Sequence, residues 1–188
     1  MALDVTIPAG KKIMTEGPDI IMKEKPTDKI KVASETDMLA RVIWAEARGE
    51  DEEGQKAVAN VVLNRLKQNP KRYGKTIRQI ITKPNQFESY SNSDSRKKMM
   101  SNDIIGTPEY DKAYEIASQA IAGKLEDNTG GANIFYNPSN MQEKYSTTYG
   151  GIIYPLLGNP PEVLIKKLVD GVLTDLGAIG NHRFLKEN

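Results

Sequence analysis

"ARVIWAEARGEDEEGQKAVANVVLNRL", residues 40–66, reads as two helices with a short break between them. In the first, Leu39, Val42 and Ile43 share a face at 100° per residue. Glu46, four residues past Val42 and three past Ile43, falls on that same stripe. Ser34, with Asp37 three residues on, is a candidate N-cap, and Gly49 is a candidate stop. The second helix starts near Asp51, where an acidic first turn suits the positive end of the helix dipole. Ala57, Val58, Val61 and Val62 form its buried side; Arg65 continues that stripe, and Asn60 and Asn64 flank it. Both helices bring polar groups to the edge of their core, so Glu46 is expected to point into the protein or into a cleft.

Outward from this pair, residues 1–33 hold three prolines, two glycines and scattered lysines, and read as an extended arm or docking segment. "NPKRYGKT" and "TKPNQFESYSNSDS" read as loops around a short helical piece, "IRQIIT". A third long helix follows, with Thr107 as cap and Pro108 at its first position. "ANIFYNP" is a short strand, and Gly150-Gly151 in "YSTTYGGIIYP" signals a hairpin. One more helix, from about Pro161 to Asp170, precedes the tail "GAIGNHRFLKEN". The expected class is α+β, mostly helical, with a small antiparallel β element.

Composition narrows the chemistry. At 188 residues one domain is the expectation. With 26 basic and 25 acidic residues the net charge is +1, so no global field draws the chain to nucleic acid or to an anionic membrane. No stretch approaches the ~18 apolar residues of a membrane span, and the amino terminus shows no signal peptide pattern. Without cysteine there is no disulfide framework, thiol nucleophile or thiolate metal site. A single histidine also disfavours catalytic zinc and a metallopeptidase; carboxylates leave room for an oxygen-ligated calcium or magnesium, but metal catalysis is disfavoured and no cofactor is expected.

A carboxyl on an apolar face loses hydration, and near the end of a helix it meets the negative pole of the dipole; both disfavour the anion. An acid held protonated in this way is what glycosidic cleavage needs. The competing reading is a structural glutamate paired with Arg65 or Arg48, which would spoil the acid.

"ARVIWAEARGEDEEGQKAVANVVLNRL" resembles the opening signature of the SleB/CwlJ family of cell-wall hydrolases, the spore cortex-lytic type that also occurs in phages. "NQFES" (85–89), "TGGANIFYNP" (129–138) and "IGNHRF" (179–184) follow in the family's order. The resemblance implies a lysozyme-like lytic transglycosylase domain over residues 34–188. It implies peptidoglycan glycan strands as substrate, cut between N-acetylmuramic acid and N-acetylglucosamine, and Glu46 as the catalytic acid. A lytic transglycosylase needs one carboxyl, whereas a hydrolase needs a partner ~5–9.5 Å away. Only Glu50 shares the Glu46 stripe, and the glycine break is expected to turn it aside.

Gln86, Phe87, Tyr136 and Asn137 are expected to line the glycan groove, as is Arg48, which alternatively organises the turn after Glu46. Phe135 is expected in the core. His182 is read either as an orienting or ligand-binding group or as a capped structural histidine. Residues 139–178 stand where the family has a short connection, and are expected to form an inserted hairpin and helix. The missing export signal fits a protein that acts on the wall from a phage virion, a phage-tail-like particle or a lysed cell. An assembly role is the alternative function, with phage tail or baseplate proteins docking on residues 1–33 or 139–178.

Overall fold

Helix α1 (Pro26–Ala47) and helix α2 (Glu52–Gln68) meet at the junction that carries Glu46. A computed structural model describes the backbone from residue 26 and the side chains from residue 35, both through to Asn188. α1 begins eight residues before Ser34: Pro26 opens it, and no proline or glycine interrupts the chain until Gly49. Residues 26–33 are therefore helical and not extended; the rest of the expected arm, residues 1–25, lies outside the described residues. Met38, Leu39, Val42 and Ile43 are buried, as their spacing predicts.

α2 is capped by Asp51, whose carboxylate accepts from the Gly54 N–H at 2.8 Å. Its apolar side, Val58, Ala59 and Val62, packs into the same core as α1. Helix α3 (Ile77–Thr82) is capped by Thr76 and buries three isoleucines. The stretch expected as loop beyond it contains two short helices, α4 (Glu88–Ser91) and α5 (Ser93–Met99). The reason is Asn92, whose side-chain oxygen accepts from the Asp94 and Ser95 N–H groups and so starts α5. Helix α6 (Pro108–Ile121) carries the expected Thr107 cap and packs Tyr110, Ala113, Ile116, Ala117 and Ala120 on the core.

The remaining elements are antiparallel. β1 (Ile134–Tyr136), β4 (Leu173–Ile179) and β5 (His182–Glu187) form a sheet in the order β1-β5-β4, with an irregularity between Asp175 and Gly177. β2 (Ser146–Tyr149) and β3 (Ile152–Pro155) pair around Gly150-Gly151 as a separate hairpin. Helix α7 (Pro161–Val169) follows. The tail, where the sequence pattern points to no element, supplies the central strand, and residues 173–178 of the expected insertion belong to β4. The hairpin is tied to this sheet by Tyr136, whose hydroxyl donates to the Ile153 carbonyl at 2.9 Å, and by the Tyr154 hydroxyl, which donates to Asp175 at 2.5 Å. Among the described residues no helix is long and apolar enough to cross a membrane.

The polar side of α2 holds the loop before β1. Asn60 donates to the Glu126 carbonyl at 2.9 Å, and Asn64 donates to Asp127, Thr129 and the Ala132 carbonyl at 3.1–3.3 Å. Asn64 is buried, and its loss removes the donor to the buried Ala132 carbonyl, while Asp127 and Thr129 keep the Gly131 and Ala132 N–H groups. Asn64→Ala is expected to cost about 1–3 kcal/mol, read as a lower urea midpoint at unchanged slope.

Candidate active site

The stripe of α1 that is fully buried at Val42 and Ile43 opens at Glu46, which is half-buried. Its carboxylate accepts from the Ser89 backbone N–H at 3.0 Å, a contact between α1 and α4 across 43 residues of sequence. Glu46 lines a pocket of about 210 Å³ with Trp44, Arg48, Glu88, Ser89 and Lys98. An acid here is fixed by a backbone donor and reached from solvent.

Neither arginine that was a candidate partner forms an ion pair with Glu46 among the described residues. Arg65 is buried and committed elsewhere. Its Nε donates to the Asn133 carbonyl at 2.8 Å and its Nη1 to the Gln86 carbonyl at 3.3 Å, while its guanidinium lies 4.8 Å from the Phe87 ring centre and 5.6 Å from that of Tyr73. Burial pushes the Arg65 guanidinium down to about 10, opposed by Tyr73 and Glu46, so it stays charged at neutral pH and lends Glu46 a distant positive field. Arg48 is exposed and stacks on Trp44 at 4.5 Å, making two long contacts of 3.4 Å to the Trp44 and Ala45 carbonyls.

Glu50 turns away, as the glycine break suggests. Its two carboxylate oxygens accept from the Asn181 backbone N–H and the Asn181 side chain, each at 3.0 Å. Two glycines make room: a Cβ at Gly54 would sit 2.8 Å from the Glu50 Cβ, and one at Gly180 would sit 2.2 Å from Glu50 Oε2. Gly180 also has φ +58°, which favours glycine in the turn between β4 and β5.

His182 is buried beside this carboxylate. Its Nδ1 lies 3.8 Å from Glu50 Oε1 and has no hydrogen-bond partner among the described residues, and its ring packs edge-on against Phe135 at 5.3 Å. Burial lowers its pKa below the usual histidine range, and the opposing pull of Glu50 and Glu46 does not overcome it.

The expected groove residues divide. Arg48 lines the pocket. Phe87 is 2% exposed, wedged between Arg65 and Phe135, so its ring is core and presents no open face to a sugar. Tyr136 is likewise buried, with its hydroxyl spent on the hairpin. Phe135, expected in the core, packs between Phe87, His182 and Phe184 while remaining half-buried. Gln86 contributes its backbone carbonyl to Arg65, and Asn137 caps a short turn by accepting from the Ser139 N–H at 2.9 Å. Trp44, Glu88, Ser89 and Lys98 were not anticipated. "NQFES" contains Glu88 and Ser89, but no local spacing shows that the motif folds back onto α1.

The His182 environment has a signed consequence. A histidine whose folded pKa is depressed contributes stability that is fully present above about pH 6.5 and falls as pH drops toward the folded value, because the unfolded chain binds the proton more readily. Replacing His182 by Phe is expected to flatten that part of the denaturation midpoint's fall between pH 7 and pH 5. A midpoint that rises on acidification of the native protein would show that pairing with Glu50 prevails over burial.

The family model for cell wall hydrolases matches residues 49–153, beginning just after Glu46. A spore cortex-lytic enzyme of Oceanobacillus iheyensis is 35% identical over 101 residues, 54% of this chain and 32% of that protein. The cell wall hydrolase CwlJ of Bacillus subtilis is 41% identical over 59 residues, 30% of this chain and 42% of that protein. The chain thus spans less than half the length of these curated relatives. Among solved structures, the catalytic domain of the germination-specific lytic transglycosylase SleB from Bacillus anthracis is similar with a TM-score of 0.53 at 25% identity, covering 81% of this chain and 93% of that one. The Bacillus cereus SleB catalytic domain, at 24% identity and a TM-score of 0.52, agrees in fold and covers 81% of this chain and 89% of that one. With motif order, α+β fold and family match in agreement, the chain belongs to the SleB/CwlJ family of cell wall hydrolases.

Proposed function

We propose that this protein cleaves the glycan strands of peptidoglycan at the β-1,4 bond between N-acetylmuramic acid and N-acetylglucosamine, as a lytic transglycosylase with Glu46 as acid and base. The observation that carries this reading is a carboxyl group that opens from a core stripe into a pocket, held by the Ser89 N–H and free of any ion pair among the described residues. Glu46 protonates the glycosidic oxygen as the bond to the muramyl C1 breaks, and the aglycone leaves as an alcohol. The Glu46 carboxylate then accepts the proton of the muramyl 6-hydroxyl as that oxygen bonds to C1, giving a 1,6-anhydro end and restoring the acid. No water enters the balance and no second carboxylate is required.

Hydrolysis is the second reading, and one observation favours it: Glu88 also lines the pocket. A carboxylate there would activate water, provided it stands at the separation an inverting or retaining enzyme uses, ~5–9.5 Å. Glu50 is less suited, because both its oxygens are engaged by Asn181.

Glu46→Gln keeps an acceptor for the Ser89 N–H but cannot donate and recover a proton. It is expected to lower turnover of purified peptidoglycan at least ~10³-fold while leaving thermal unfolding within a few degrees of the native protein. Glu88→Gln is expected to keep most of the rate. Full activity in Glu46→Gln refutes the assignment, and loss in Glu88→Gln with retained folding transfers it to the two-carboxylate mechanism.

A further inference from the structure

The Glu46 pocket has a neighbour. On the other side of α5 lies a second pocket of about 480 Å³, within the range of small-ligand sites, lined by Met38, Arg78, Tyr90, Asp94, Arg96 and Lys97. The helix is shared: Ser95 and Lys98 line the Glu46 pocket, while Asp94, Arg96 and Lys97 line the second. α4 is shared too, with Ser89 lining one pocket and Tyr90 the other. Along α1, Met38 stands eight residues before Glu46, which at 1.5 Å per residue is about 12 Å.

The charges of the second pocket are unbalanced. Apart from Arg78, two cations, Arg96 and Lys97, face one acid, Asp94. Arg96 lies 5.4 Å from the Tyr90 ring centre and donates to the Tyr90 carbonyl at 3.2 Å, which orients its guanidinium without neutralising it. Among the described residues neither Arg96 nor Lys97 pairs with a carboxylate, whereas Lys56, Arg72, Lys166 and Arg183 do. A recess with net positive charge beside the Glu46 pocket suits an anion carried by the glycan itself.

We propose that this pocket is a subsite for the acidic stem peptide borne by the muramyl residue, with Arg96 and Lys97 meeting its carboxylates. The proposal rests on the glycosidase reading and names the part of the substrate that the glycan pocket alone does not hold. The reach is adequate: four extended residues span at most ~14 Å, enough to cross α5 from a sugar seated near Glu46. The half-buried Tyr90 ring, with the Arg96 guanidinium over it, supplies part of the apolar lining. The arrangement makes the protein selective for strands that retain their stems.

The test compares peptidoglycan strands from one source before and after an amidase has removed the stem peptides. The native protein is expected to show a kcat/KM about fivefold higher on stem-bearing strands at low salt, shrinking in 0.5 M salt. Lys97→Ala together with Arg96→Gln is expected to bring that ratio close to one, and the charge reversal Lys97→Glu alone, which spares the Arg96 contact to Tyr90, is expected to lower it in the same direction. Equal rates on both substrates in the native protein, or a ratio that neither variant changes, overturns the subsite and leaves the cleavage reading intact. If the native protein cuts neither substrate, the Glu46 reading fails and binding decides the subsite: a soluble muramyl tripeptide should shift the amide resonances of Tyr90, Arg96 and Lys97, and unmoved resonances refute it.

Discussion

A carboxyl group on the buried stripe of a helix must be paired, hydrogen-bonded or given an opening, because an isolated charge in the core is too costly to keep. Glu46 is given the second and third and not the first. α1 buries Val42 and Ile43 completely and then presents Glu46 to a pocket, with a single backbone N–H from Ser89 fixing one oxygen. The rest of the site follows from keeping that carboxyl neither neutralised nor sealed.

The surrounding charges are each drawn off by another part of the fold. Arg65, which continues the buried stripe of α2, donates to two backbone carbonyls and is sandwiched by aromatic rings, so its charge serves the junction between α2, the Gln86 turn and the start of β1. Glu50 is held against the turn between β4 and β5 by Asn181, where Gly54 and Gly180 leave space for it. His182 lies beside Glu50, and its buried Nδ1 has no hydrogen-bond partner among the described residues. The sheet that carries His182 is fastened in turn to the β2–β3 hairpin through Tyr136, Tyr154 and Asp175. Strand, turn and helix thus converge on two carboxylates in different settings: one open and one clamped.

Much of this was legible in the residues alone where the determinants are local. The Thr107 cap, the acidic start at Asp51, the short apolar run IRQIIT and the 3.6-residue spacing of Leu39, Val42 and Ile43 point to α6, α2, α3 and α1, and the same spacing singles out Glu46. What escaped depends on distant partners or on residues with two uses. β4 and β5 lack clean alternation, β4 contains Gly177 and the turn between them Gly180, and β5 gains its place by pairing with β1 some fifty residues earlier. The asparagine and serine residues near 92 look like loop until Asn92 is seen to cap α5. Phe87 and Tyr136 were expected to face sugars because aromatic residues in a motif serve either packing or binding, and here both pack. Ser89 could not be tied to Glu46 without the contact that α4 makes across 43 residues.

The central claim is that one carboxyl, Glu46, performs both proton transfers. The chemical ends of the products test it most directly. Mass spectrometry of muropeptides released by the native protein from purified peptidoglycan is predicted to show 1,6-anhydro-muramyl ends, formed without the addition of water. Muramyl reducing ends, heavier by one water, would contradict the single-carboxyl account and require a second catalytic carboxylate in the same pocket.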